Sequence, residues 1–483
     1  MKVFEWIKRL FRGPAAPPEK PGQREGRPVS AVVRRPARLS DLLQFEEKPS
    51  GLEVDVVIGL DFGTSSAKVA LQTPYKLGGQ VTFVDFGPLA HPSARHLLPV
   101  ALHVSVDGSL SLERPADHLE TRGHLKLELL ARDGQRSPRR EQEGSAWAAA
   151  FLALTLRAAR RHLIETQWEA YGHDKLRWSF NLGIPSAGYD DDAIRERFLL
   201  VARAGWSLSL RGTAPTLATA TAAVEHAASG LGGGEDIDVI PEVAAEVVGY
   251  ARSRRRRDGL HVVLDIGAST LDVCSFSLHS KHGDDVYSLL TADVQLLGLL
   301  ELHSRRMEAA GGIPPFDGVP RDLVQPLPGP ESIAEASIRR AIARCDEAFA
   351  ESARQVLART LLDLKSHRDP HAPAWREGLP LFVSGGGASS EVVGSLIRGS
   401  DDIGRKIWVD YAGLRRQAFP FPAEVSPGEG LTDGEFARLC VAFGLSFPSI
   451  KIGTIEAPQL VPDVEISRGA RDWQRAYVDK DQV

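Results

Sequence analysis

Apolar and polar positions along this chain fall into short β-like runs separated by helical stretches. At 56–71, VVIGLDFGTSSAKVAL opens as a β-branched apolar run, breaks into small hydroxylated residues after Asp61, and resumes as a second run carrying Lys68. Apolar runs of this length bounded by glycine and small polar residues predict strands, so the string predicts a hairpin with Asp61 at a strand end. The pattern returns at 261–278, HVVLDIGASTLDVCSFSL, where Val262, Val263 and Leu264 lead to Asp265 and the following strand carries Asp272. A third strand pattern, PLFVSGGGASSEVVGSLI at 380–397, turns helical at Ser389 or Ser390. Between the hairpins, DVIPEVAAEVVGYA at 238–251 predicts an Ala/Val-rich helix opening at Glu242 behind Pro241. Long helices are expected over 145–171 and 331–366, and a further one in FARLCVAFGLSF at 436–447. Residues 180–210 read as strand, Pro-containing loop, helix and strand, and the Pro/Gly-rich 311–330 as a surface insertion. Strands interleaved with helices predict an α/β protein.

The polar residues at the breaks suit phosphate chemistry. Gly63 lets the backbone approach an anion, and the amides and hydroxyls of Thr64 and Ser65 point donors at it. A carboxylate beside phosphate is repulsive unless a cation intervenes, so Asp61 implies a metal, most simply Mg²⁺. Gly267, Ser269 and Thr270 repeat the arrangement after Asp265, and Gly385, Gly386 and Gly387 form a glycine-rich strand-to-helix turn able to admit a ring or a phosphate. Glu242 at a helix N-terminus interacts favourably with the dipole, and the plain alternative is a first-turn charge without a chemical role. Either hairpin alone also admits the plain reading of an ordinary Asp-Gly turn; two of them about two hundred residues apart suggest two related lobes.

These four elements, in this order, resemble the actin-like ATPase superfamily, which includes actin, the sugar kinases and, most similar here, the Hsp70 nucleotide-binding domain. D-I-G-A-S-T-L-D-V at 265–273 is similar to that family's D-x-G-G-G-T-F-D-V, I-P-E-V-A-A-E-V-V-G-Y at 240–250 to its connecting segment, and G-L-D-F-G-T-S at 59–65 to its first phosphate motif. The resemblance covers residues from about 55 to about 445. It implies a two-lobed actin/Hsp70-like fold of duplicated RNase H-like lobes, with nucleotide in the cleft between them. Lobe I would span 51–245 and lobe II 246–447, the latter including the closing helix at 436–447.

Carried over position by position, Asp61 and Asp265 would hold the Mg²⁺ shell, with Thr64, Ser65 and Thr270 on phosphate oxygens. Glu242 and Asp272 would order the attacking water, and Gly385 to Gly387 would underlie the adenosine of ATP or ADP. Lys126, in the strand-like run HLKLELL, matches the spacing of an Hsp70 lysine that positions the nucleophile; an ordinary solvent-facing strand lysine fits as well. Lys68 is similar to the actin and sugar-kinase pattern. Arg339, Arg340 and Arg344 are candidates for the adenine, against a reading as the solvated face of a long helix. The chain departs from the family where Ala268 and Ser269 replace glycines and where L-L-G-L-L-E at 296–301 lacks an acidic pair. No β-rich peptide-binding domain is expected after the glycine turn, so the resemblance implies a stand-alone ATPase.

The 483 residues, with 43% hydrophobic and 25% charged, suffice for a large two-lobed body. A net charge of −5 gives no global pull toward nucleic acid, and none is expected as a partner. Cys274, Cys345 and Cys440 are scattered without metal spacing, which suits a reducing cytoplasm. Arg254 to Arg257 read as a solvated turn or an anionic-partner surface. No apolar run is long enough to span a bilayer, and Lys8 and Arg9 interrupt the first residues too early for a secretion signal. Residues 1–12 instead form a short amphipathic pattern: Val3, Ile7, Leu10 and Phe11 share a helical face beside Lys2, Lys8, Arg9 and Arg12. Such a segment docks on an anionic membrane surface, on a protein groove, or on nothing. Residues 13–50, rich in Pro and Arg, read as a flexible tether, and 448–483 as a polar tail. The expected location is cytoplasmic, peripheral at the inner membrane face if residues 1–12 dock there.

The leading expectation is an Mg²⁺-dependent ATPase whose lobes close on ATP and open after slow hydrolysis, switching a protein partner. A membrane-tethered actin-like filament former, a small-molecule kinase and a nucleotide-binding pseudo-ATPase use the same motifs and stay open at this level.

Overall fold

The computed structural model describes residues 52–461 apart from 92–93, 131–136, 172–173, 231–235, 310–330, 332–334, 389, 427–428 and 459–460. The amphipathic segment 1–12, the tether 13–50, the whole 311–330 stretch and the tail beyond 461 therefore lie outside the described residues.

The described residues open with β1 (Glu53–Phe62), β2 (Ser66–Gln72), β3 (Val81–Phe83) and β4 (Leu98–Pro99). A small three-stranded sheet follows, made of β5 (Leu102–Ser105), β6 (Leu110–Ser111) and β7 (His118–Arg122). Next come α1 (Leu125–Leu129) and α2 (Pro138–Thr166), β8 (Lys175–Ile184), α3 (Asp192–Ser209), α4 (Leu217–Ala228), β9 (Ile237–Pro241) and α5 (Glu242–Ala251). The second half holds β10 (Gly259–Ile266), β11 (Leu271–Lys281), β12 (Asp284–Gln295), α6 (Leu299–Ala309), α7 (Ala336–Asp363), β13 (Leu379–Ser384), α8 (Glu391–Ile407), β14 (Leu414–Gln417), α9 (Asp433–Leu445) and β15 (Thr454–Glu456).

One strand order occurs twice. The first sheet runs β3-β2-β1-β8-β9, with β4 added on β2, and the second runs β14-β13-β10-β11-β12-β15. In each, three antiparallel strands form a meander (β1 to β3, β10 to β12). Two later strands then join in parallel on the other side of the first strand (β8 and β9, β13 and β14). The protein is thus α/β with mixed sheets. β1 and β10 are central and buried over most of their lengths, which is why they read as near-continuous apolar runs rather than alternating ones.

Helices α2, α3 and α4 pack on one another beside the first sheet, and α6, α7 and α8 belong with the second. Two further helices join the sheets. On one side α5 packs Val243, Ala244, Val247 and Tyr250 against Val263, Cys274, Phe276 and Phe382 of the second sheet. Its Ala245 and Val248 share a core with Phe83 of the first sheet and with Phe436, Leu439 and Phe443 of α9. At their crossing the helices nearly touch: a Cβ on Gly444 would lie 1.8 Å from the Ala245 carbonyl oxygen, so only glycine fits there.

Several expectations change in space. The run around Lys126 is a helical turn, α1, not a strand. Trp206 to Ser209 end α3 rather than forming a strand, because Phe198, Val201, Ala202, Gly205 and Trp206 recur at helical spacing and bury against the core. The Trp206 ring stacks on Phe180 of β8 at 6.3 Å between centroids. Helix α2 starts at Pro138, ahead of the expected 145, and α9 starts at Asp433, where Thr432 and Glu435 form a capping box. The sequence groups α9 with residues 246–447, yet it packs on β1, β2 and α5.

Candidate functional site

β1, β10 and β13 all end at one pocket, so the residues at their C-terminal ends converge there. Asp61 lies opposite Lys68 in the β1–β2 register, and Asp265 lies opposite both Asp272 on β11 and Ser384 on β13. The pocket is open to solvent, and the empty space in it and at its mouth amounts to about 930 Å³. From the first hairpin it takes Asp61, Gly63, Thr64, Ser65, Ser66 and Lys68; from the second, Asp265, Gly267, Ala268, Thr270 and Asp272. Lys126 and Glu242 enter from α1 and α5, Gly385 and Gly386 from the turn after β13, and Ala437, Arg438, Cys440 and Val441 from α9.

Each local fold explains its placement. Residues 63–65 bridge β1 and β2, and the Ser65 carbonyl accepts the Val100 N–H at 2.8 Å, which pins the turn. In the second hairpin the Gly267 N–H donates to Thr270 O at 2.8 Å, closing a tight turn despite Ala268 and Ser269. Glu242 is the first residue of α5, immediately after Pro241 ends β9. Gly385 has φ +77°, and a Cβ there would stand 2.1 Å from Asp265 Oδ1, so the turn needs glycine for conformation and for space.

Electrostatically, the pocket is a carboxylate cluster held by two lysines. Lys68 Nζ lies 3.0 Å from Asp61 Oδ2, and Lys126 Nζ donates to Glu242 Oε1 at 2.7 Å. Burial pushes the Glu242 carboxyl up to about 7; Lys126 opposes that rise and Asp61 adds to it. Burial also raises Asp265, which Lys68 partly offsets, and holds Asp272 well above the usual range with Asp265 adding to the rise. Ser65 Oγ, Asp265 Oδ1, Asp272 Oδ1 and Ser384 Oγ are buried without a hydrogen-bond partner, and all four residues line the pocket. Buried polar atoms left this way are costly, and the arrangement can be relieved by a cation-bearing polar ligand. Among the described residues no three His, Cys, Asp or Glu side chains are grouped to chelate an ion alone. The unpartnered carboxylate and hydroxyl oxygens could serve a hydrated divalent ion that arrives with an anionic ligand.

Of the residues singled out from sequence, Ser269 and Gly387 do not line the pocket. The Ser269 carbonyl accepts the Gly298 N–H, and the Gly387 N–H donates to Ile266 O at 2.9 Å, packing that glycine beneath β10. Arg339, Arg340 and Arg344 are exposed on α7 and are not among the pocket residues. Arg255 and Arg257 of the arginine run are exposed, while Arg256 pairs with Asp258 at 2.9 Å and with Asp285. Sequence reasoning missed Ser384 and the α9 residues, and it passed over Glu246, which is not among the pocket residues. Glu246 is buried one turn after Glu242 with Oε1 unpartnered, and burial together with Asp265 raises its carboxyl well above the usual range. Its i,i+4 spacing from Glu242 was a readable signal, whereas nothing local marks the α9 residues as pocket-facing.

Comparison with known proteins finds no family model that matches this sequence and no significant match among curated proteins.

Proposed function

We propose that this chain is an Mg²⁺-dependent ATPase on the two-lobed actin/Hsp70-like plan, with duplicated RNase H-like lobes and ATP held between them. One observation carries the reading. The same β-Asp-Gly hairpin occupies the same place in two sheets of the same strand order, and both hairpins line one pocket.

Phosphoryl transfer to water needs positioning and charge neutralisation more than covalent chemistry. Asp61 and Asp265 would hold Mg²⁺, which would neutralise phosphate charge. Thr64, Ser65 and Thr270 offer hydroxyl and backbone donors to phosphate oxygens, and Lys68 adds a positive charge. Glu242, kept beside Lys126, would orient a water toward the γ-phosphorus; that water's oxygen bonds to phosphorus as the bond to the ADP oxygen breaks, and its proton passes to the released phosphate. Asp272 helps order the same water, and Gly385 and Gly386 leave room for the adenosine. Opening and closing of the lobes around this cycle would signal to a protein partner.

The test is steady-state hydrolysis of ATP with Mg²⁺, with nucleotide affinity measured alongside, for the native chain, Glu242→Gln and Asp265→Ala. The expected result is turnover lost in both variants, with ATP still bound by Glu242→Gln. No ATP binding by the native chain would sink the reading.

A further inference from the structure

Helix α1 carries Lys126 to Glu242, yet its five residues are too few to hold a helix by themselves. What fixes it comes from outside. Leu125 and Leu129 are buried in the first core, and α2 passes so close that a Cβ on Gly144 would lie 3.0 Å from Glu128 Cβ. At the N-cap, His124 is held in the left-handed region at φ +56° without a side-chain cap. At the other end, Arg197 of α3 donates from Nη1 to the Leu129 carbonyl oxygen at 2.9 Å, across 68 positions of sequence.

Arg197 is half-buried and does not line the pocket. The carbonyl it holds lies between two residues that do, Lys126 and Leu130. A guanidinium suits that place, because the last carbonyls of a helix have no partner within it. The helix that presents Arg197 is itself well anchored. Asp191 caps α3 by accepting the Ala193 and Ile194 N–H groups at 3.1 and 3.2 Å, and Phe198, Val201 and Trp206 bury in the first core. Apolar contacts are non-directional, so Leu125 and Leu129 set how deep α1 lies rather than its rotation. The bond to the Leu129 carbonyl is directional, and Lys126, less than one turn before it, follows that rotation.

We propose that Arg197 is a positioning residue of this site: through the Leu129 carbonyl it sets the rotation of α1 and so keeps the Lys126 ammonium on Glu242. Lys126 is only 6% exposed, so a turn of α1 that lengthens its 2.7 Å bond leaves both charges with little solvent to replace it. The effect on turnover rests on the ATPase reading, in which Glu242 orients the attacking water; the effect on Lys126 does not. The plain alternative is an arginine that caps a helix and adds stability, which would lower the melting temperature on removal and leave the site unchanged.

The test is a double-mutant cycle on the full chain: Arg197→Met, Lys126→Met and the two together, with Arg197→Lys as the conservative variant. Without nucleotide, in urea at pH 8, the midpoint of the double variant is expected to fall by less than the sum of the two single falls. Once Lys126 is gone, the bond from Arg197 no longer serves Glu242. Additive falls overturn the proposal. With ATP and Mg²⁺, Arg197→Met is expected to lose about tenfold or more in kcat while nucleotide affinity stays within about threefold of the native chain. Arg197→Lys, which keeps the charge and a donor, should recover most of that loss. An unchanged kcat in an Arg197→Met chain that melts at lower temperature also overturns the proposal and leaves Arg197 a plain cap. A native chain with no turnover sinks the ATPase reading alone, and the denaturation cycle still decides on Arg197. If Arg197→Met does not fold, Arg197→Lys takes its place in the cycle.

Discussion

Glu242 concentrates the consequences of burial in one side chain. Its carboxyl titrates about 7 in the folded protein against an ordinary value of 4.5. The folded form therefore holds its proton while the unfolded chain has already released it. Stability of the ligand-free protein should fall as pH rises from about 4.5 through 7, by up to ~3 kcal/mol from this group. Urea denaturation at pH 5.5 and pH 8 measures the drop, and Glu242→Gln should remove it. If the ionised carboxylate orients the attacking water, hydrolysis should rise over the same pH interval and flatten in the glutamine variant. Gly385→Ala puts a methyl on Asp265 Oδ1 and forces a φ of +77° on a residue with a Cβ. It should weaken nucleotide binding at least tenfold and cost ~1–3 kcal/mol of stability, read by calorimetric titration and by melting.

Elements set the relation between the two halves of the pocket. α5 places Glu242 at its N-terminus and presses its other faces on both sheets, while α9 crosses it at Gly444 and lines the pocket from the far side. Gly444→Val should separate the two helices at Ala245. Overpacking of this kind costs ~1–3 kcal/mol or more, and it should lower the melting temperature and nucleotide affinity together. The short helix α1, anchored on the core by Leu125 and Leu129, brings Lys126 to Glu242. Lys126→Met removes the partner of buried Glu242, so the protein should lose ~3–5 kcal/mol only above pH 7, where that carboxyl is ionised, and Lys126→Met with Glu242→Gln should recover much of the loss.

At the scale of the molecule, two sheets of one strand order meet across the pocket, so a ligand bound by both hairpins couples them. Mg²⁺ with ATP at about a hundred times its dissociation constant should add ~2.7 kcal/mol to stability, and chelating the metal should reverse most of that gain. Thermal denaturation with ATP, with ATP plus a chelator, and with neither measures it. A melting temperature indifferent to nucleotide would count against the ATPase reading as a whole.

The α/β class, the two hairpins, the glycine turn and the helix opening at Glu242 were legible in the sequence, because each is written in contiguous residues. A strand end followed by small residues and a helix begun behind proline are decided by local sterics and local hydrogen bonding. The run at Lys126 misled because five residues are too few to separate a helical turn from a strand, and its contact with Glu242 spans 116 positions. Trp206 to Ser209 misled because apolar residues alternate there locally, while the face they extend was set by a helix already packed on β8. Only the tertiary structure decided that Asp61, Asp265, Asp272, Glu242 and Ser384 share one space, that α9 closes it, and that Glu246 is buried beside Glu242 on the same helix. Those facts depend on which sheet ends meet, and the free energy of that meeting is spread over cores drawn from the whole chain rather than written at any one position.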